Sequence, residues 1–179
     1  MASVLSHAVV GVAAASIGAA KGAPARFWVL SAMCAVLPDA DVLAFRFGMS
    51  YGDMFGHRGF FHSLLFAFFI GVLTVTLFSR DEQILSQKWL LLCGYFSLVT
   101  ASHGILDAFT RGGAGVALLA PLDNTRYFFP WTPIAVSPLS LRAFFSGWGL
   151  RVLSNEFFWI WIPSAVVFIG GRMAQYGRQ

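Results

Sequence analysis

Apolar residues run in long blocks separated by short polar stretches. Residues 1–20 contain no Asp, Glu, Lys or Arg. A turn from Lys21 to Arg26, holding Gly22 and Pro24, precedes a second run from Phe27 to about Phe47, which Pro38, Asp39 and Asp41 interrupt. After the polar, Gly-rich residues 48–58, a third run from Gly59 to Ser79 is free of formal charge. The charged loop Arg80 to Lys88 leads to a fourth run, Trp89 to about Phe109. Residues 110–155 are mixed and hold Pro121, Pro130, Pro133 and Pro138; a last run covers roughly Glu156 to Gly171, with Ser154 and Asn155 as N-cap candidates. Leu139 to Leu153, with Arg142 and Arg151 among Leu, Phe and Trp, reads as a candidate interfacial helix. Crossing a bilayer takes about 20 apolar residues. The pattern therefore predicts an all-α, polytopic membrane bundle of about five transmembrane helices in a single domain over residues 1–179.

Composition supports that class. The chain is 58% hydrophobic and 11% charged, with 19 Phe, 6 Trp and 4 Tyr, whereas soluble domains carry about 25% charged residues. A soluble globule would expose too much of this apolar surface, and a disordered chain would be poor in it. Cys34 and Cys93 sit inside apolar runs without a CxxC partner, as buried small hydrophobes do. The net charge of +4 comes without a basic cluster, so no nucleic-acid partner is expected. No Lys or Arg precedes the first apolar run, so a cleaved signal peptide is not expected either.

An up-and-down arrangement brings the unusual polar residues to one membrane face. His7 lies near the start of the first span, Asp39 and Asp41 late in the second, His57 and His62 at the start of the third, and His103 and Asp107 near the end of the fourth. All four histidines of the chain fall in this set. Ionisable groups within spans are costly and mark function by default, and His with Asp suits Zn²⁺ or a similar divalent ion. His103 and Asp107, four apart, share a helix face. Asp39 and Asp41, two apart, cannot both point at one ion on a helix, so one ligates and the other supports. His57 shares a site with His62 only if it stands in the loop or at the helix start. Seven candidates favour two metals, or one metal with catalytic and supporting residues. The competing structural reading makes each residue a helix–helix hydrogen bond, which gives no reason to gather on one face. Arg58, between the histidines, is either an anion clamp or the ion-pair partner of an aspartate; Arg111 and Arg126 are weaker clamp candidates. Residues 110–155 would lie over the site as a lid or platform. Gly11, Gly18, Gly71 and Gly94 read as helix-packing contacts, and Trp131 and Trp148 as interfacial aromatics.

Read together, Leu37-Pro38-Asp39-Ala40-Asp41, Gly56-His57-Arg58-Gly59-Phe60-Phe61-His62-Ser63 and Ser102-His103-Gly104-Ile105-Leu106-Asp107 resemble a family of inner-membrane metal-dependent hydrolases (YdjM-like) of bacteria and archaea. Its pattern is an early His, Pro-Asp-x-Asp, His-Arg-Gly-x-x-His-Ser and His-x-x-x-Asp. The stretch Gly115 to Pro121, with Arg126 and Pro130 beyond it, also fits. The likeness covers roughly residues 5–130, leaving an interfacial segment and last span over about 131–172. The ligand order is also similar to that of zinc-dependent phospholipase C, which implies a bridging Asp107, a site completed by Asp39, His62 and His103, and a second site that includes His7. Asp41, His57 and Arg58 are then the expected catalytic groups.

The resemblance implies a hydrolase that uses one or two divalent ions, most simply Zn²⁺; a site at the level of the headgroups makes a phosphoester of a membrane lipid or lipid-linked molecule the expected substrate. A divalent-metal carrier or channel, or a non-catalytic membrane adaptor, are the alternatives. A carrier would need polar residues along both halves of the bundle. Lys21, Arg26, Arg80, Lys88, Arg172 and Arg178 lie on the face opposite the site, and Arg46, Arg58, Arg111, Arg126, Arg142 and Arg151 on the site face. The count ties, but the first set is concentrated in short loops, where the positive-inside rule acts most strongly. The site is therefore expected to face outward from a cytoplasmic (inner) membrane.

Overall fold

A computed structural model describes residues 1–177; Arg178, counted above, lies outside them. Five apolar helical stretches form the body. They are α1 (Val4–Gly18), α2 (Ala25–Val36) running on as a 3₁₀ helix over Leu37–Phe47, α3 (Leu64–Phe78), α4 (Gln87–Ala108), and a last stretch made of α6 (Gly147–Glu156), a π segment (Phe157–Trp161) and α7 (Ile162–Tyr176). A short helix α5 (Leu141–Phe144) precedes α6. Ala25–Phe47, Gln87–Ala108 and Gly147–Tyr176 have the length and hydropathy to cross a membrane. At 15 residues each, α1 and α3 reach only about 22 Å, short of a hydrocarbon core of about 30 Å.

Local chemistry sets the boundaries. Ser3, Ser63 and Ser86 cap α1, α3 and α4, their hydroxyls accepting from the amides of Ser6, Phe66 and Trp89. Pro38 sits at the start of the 3₁₀ stretch, and Gly48 ends it in the left-handed region at φ +78°. Helix α3 packs along α4, α1 along α2 and α7, and α2 along α4. Small residues allow the close approach: a methyl at Gly11 would meet the Ser31 carbonyl oxygen at 2.6 Å, and one at Gly71 would meet the Cys93 carbonyl oxygen at 2.7 Å. The core between α2, α3 and α4 is Cys34, Ala35, Val75, Trp89, Cys93, Phe96 and Val99.

Several expectations need correction. Gly94 faces open space and is not a packing contact. The third helix starts at Leu64, so His57 and His62 precede it, in a coil ending in the 3₁₀ turn Phe60–His62. Ser154 and Asn155 cap nothing. They lie inside a helix that runs unbroken from Gly147, where Ser146 is the cap. The Asn155 side chain accepts from the Ala135 amide and donates to the Pro133 carbonyl. The interfacial candidate Leu139–Leu153 thus divides into α5 and the first part of the last long helix. Two strands of two residues each, β1 (Thr110–Arg111) and β2 (Ile134–Ala135), pair in parallel within the mixed segment.

Candidate metal centre

All eight candidate residues are buried, none more than 5% exposed. Their placement follows from local backbone. A 3₁₀ helix has three residues per turn, so positions two apart diverge by about 240°. Asp39 accordingly faces His103 on α4, and Asp41 faces His57 and His62. Arg58 is left-handed at φ +64°, a conformation uncommon for a residue with a side chain. The turn is pinned by the Phe60 amide on the Met54 carbonyl and the Ala117 amide on the Arg58 carbonyl. This tight turn sends His57 and His62 to the same carboxylate. On α4, His103 and Asp107 share one face.

Asp39, His62, His103 and Asp107 each offer a ligand atom, and these atoms lie within 4.8 Å of one another. The two Nε2 atoms of His62 and His103 are 3.0 Å apart. Asp39 Oδ1 is 3.3 Å from His103 Nε2 and 3.7 Å from His62 Nε2, and Asp107 Oδ2 is 3.6 Å from His62 Nε2. Ligands at about 2.0–2.1 Å from a tetrahedral ion are about 3.3 Å apart, so the observed spacings bracket that edge. Both Asp39 oxygens and Asp107 Oδ2 are buried without a hydrogen-bond partner among the described residues. Buried carboxylate oxygens are normally satisfied, and a cation would satisfy these. His103 Nδ1 is 2.7 Å from the Ala35 carbonyl oxygen, which places its proton there and leaves Nε2 free to ligate. His62 Nδ1 is 3.0 Å from Asp41 Oδ2, in line for an ion pair although angled off an ideal hydrogen bond.

Asp41 is the hub beside this group. It lies 2.7 Å from His57 Nδ1 and accepts the Arg58 amide at 3.1 Å. Asp41, His57 and His62 form a second set with converging ligand atoms, but His62 turns its Nε2 to the first set. Asp107 joins the parts: Oδ1 accepts the Ala2 amide at 2.8 Å and lies 3.3 Å from His7 Nε2, while Oδ2 lies 3.2 Å from Arg58 Nε. His7 stands outside both convergent sets and stacks on His103 at 3.6 Å between ring centroids.

Of the two readings of Arg58, the structure shows the ion pair with an aspartate and corrects the clamp. The side chain is fully buried, paired with Asp107, and donates to the Gly112 carbonyl and the Thr110 hydroxyl. Its guanidinium neutralises a carboxylate and is not free to grip a substrate. Arg126 is also committed, to the His57 and Tyr51 carbonyls, and Arg111 is exposed, with its Nε on the Thr132 carbonyl.

One buried acid escaped the sequence reading. Glu156 accepts from the Ser3 amide and hydroxyl and from the Ser6 hydroxyl, and the Trp161 indole donates to Ser6. It anchors the turn carrying Ala2 and His7 to the last helix. Its signal was its solitude, since no other Asp or Glu follows Asp123.

The match to known proteins is informative at the level of family. The family described as YdjM inner membrane protein matches residues 1–178. The inner membrane protein YbcI of Escherichia coli (strain K12) is 38% identical over 172 residues, covering 93% of this chain and 95% of that protein. No solved structure matches. Together with the helices long and apolar enough to cross a bilayer, these likenesses place the chain in the inner membrane, and it belongs to the YdjM inner membrane protein family.

Proposed function

We propose that this chain is a metal-dependent hydrolase that cleaves a phosphoester of a lipid or lipid-linked molecule. The observation that carries the reading is the buried set Asp39, His62, His103 and Asp107, whose ligand atoms converge within 4.8 Å and whose carboxylate oxygens are in part unpaired. A divalent ion such as Zn²⁺, when bound, supplies Lewis acidity and an acidified water. The chain's own residues do the rest. His62 and His103 present Nε2 because Asp41 and the Ala35 carbonyl face their Nδ1 atoms. Asp41 orients His57, whose other nitrogen serves as proton acceptor and donor beside a cavity that His57 helps line. Arg58 balances the charge of Asp107. His7, on the far oxygen of Asp107, is the candidate ligand for a second ion.

A carrier is disfavoured because α4 continues away from His103 into the apolar cluster of Val99, Phe96, Cys93 and Trp89, where the buried polar groups among the described residues are the hydroxyls of Ser31, Thr74 and Thr100 and not ionisable side chains. The test is a phosphatase and phospholipase screen on lipids with detergent-purified full chain. Turnover that His103→Ala abolishes is expected; turnover unchanged by that substitution overturns the proposal.

A further inference from the structure

Two cavities flank the centre, and the segment Ser137–Ser140 helps wall both. The first, of about 350 Å³, is bounded by Val4, Leu5, Val42, Leu139, Phe144 and Phe145 and reaches Asp39. Its wall is mostly apolar, with Ser3, Ser137 and Ser140 as the polar exceptions, and it ends at a buried carboxylate whose oxygens have no hydrogen-bond partner among the described residues. A wholly polar molecule entering here would lose hydration and regain few hydrogen bonds along the wall. At the Asp39 end the phosphate would be met by the divalent ion proposed to sit on that carboxylate, and the apolar wall suits a hydrocarbon tail. An amphiphilic phosphoester fits both ends. The rim is apolar and exposed: Leu5 and Leu139 are each 50% exposed and Phe145 is 83% exposed.

We propose that this cavity takes a single linear hydrocarbon tail of an amphiphilic phosphoester, with the polar linkage held beside Asp39. The inference rests on the hydrolase reading of the centre and specifies its substrate class: a molecule recognised through one tail that passes from the membrane along Leu5, Leu139 and Phe145 without crossing water. The segment Ser137–Phe145, which the sequence placed over the site, forms one wall of the slot.

The test uses n-alkyl phosphates of increasing length as probes, with the full chain in nanodiscs of one lipid composition. Referred to the free aqueous probe concentration, burial of each further methylene should tighten binding about fourfold until the slot is full. Val42→Trp and Leu139→Trp, both at positions that are not fully buried, should fill the slot and flatten this dependence. Leu98→Trp, on an exposed face of α4, should leave it unchanged. Partition of the probes into the lipid is common to all samples and cancels in the comparison. Equal length dependence in the wild type and both slot variants overturns the proposal. Metal content measured on the same samples separates the two readings. A chain that binds no metal but keeps the slot-dependent length series sustains the slot and sinks the hydrolase.

Discussion

His62 carries the sharpest electrostatic conflict among the loop residues of the centre. Burial disfavours its charge, but the carboxylates of Asp107, Asp39 and Asp41 outweigh burial and hold its pKa well above the ordinary value. A cation that takes its Nε2 must expel a proton. Metal uptake should therefore release protons into weakly buffered solution, and affinity should strengthen as pH rises through neutrality and weaken as it falls. Binding that is independent of pH and proton-silent would contradict this. For the metal-free chain the sign reverses. The charged His62 contributes stability that is fully present below the ordinary pKa of 6.5 and is lost as pH rises through the raised one, which thermal unfolding of chelator-treated protein would show. Asp41→Asn keeps the shape but weakens acceptance from both histidines. It should lower metal affinity by about 10–100-fold, measured by chelator competition, with the fold intact.

At the level of elements, close helix contacts depend on a few small residues. Gly71→Leu should force α3 from α4 and cost about 1–3 kcal/mol, whereas Gly94→Leu should be nearly silent, because nothing lies within 4 Å of its would-be Cβ. Thermal unfolding in detergent compares the two. Glu156→Ala should cost about 1–3 kcal/mol by leaving the Ser3 amide and two hydroxyls unsatisfied, and Glu156→Gln should restore part of it. The sequence pattern located α4 to within two residues at its start and one at its end, since charge marks one boundary and the apolar run the other. The two-residue spacing of Asp39 and Asp41 already set them on different sides, and the structure adds that the turn opened by Pro38 is 3₁₀. The sequence could not reveal that Asn155 is held by Ala135 and Pro133 inside a continuous helix, because those partners are distant in sequence. Gly94 shows the limit from the other side: a glycine in an apolar run looks the same whether it meets a helix or open space.

Over the whole molecule, the legible part was the convergence. Alternating spans put His7, Asp39, His62, His103 and Asp107 at one end of the bundle, and the structure brings them into mutual contact. The illegible part was the division of labour. The commitment of Arg58 to Asp107 needs the left-handed turn and the Thr110–Gly112 backbone to be visible. Topology follows from the same frame. With the site outward, a reporter fused after Gln179 should report the cytoplasm, and an outward C-terminus would reverse the orientation. The most direct measurement is elemental analysis of the purified full chain beside Asp107→Ala, which removes the carboxylate shared by His62, His7 and Arg58. At least one transition-metal ion per chain, falling sharply in the variant while the helical content holds, is the predicted result. Less than one ion per chain, or metal content unchanged by the substitution, would contradict the account.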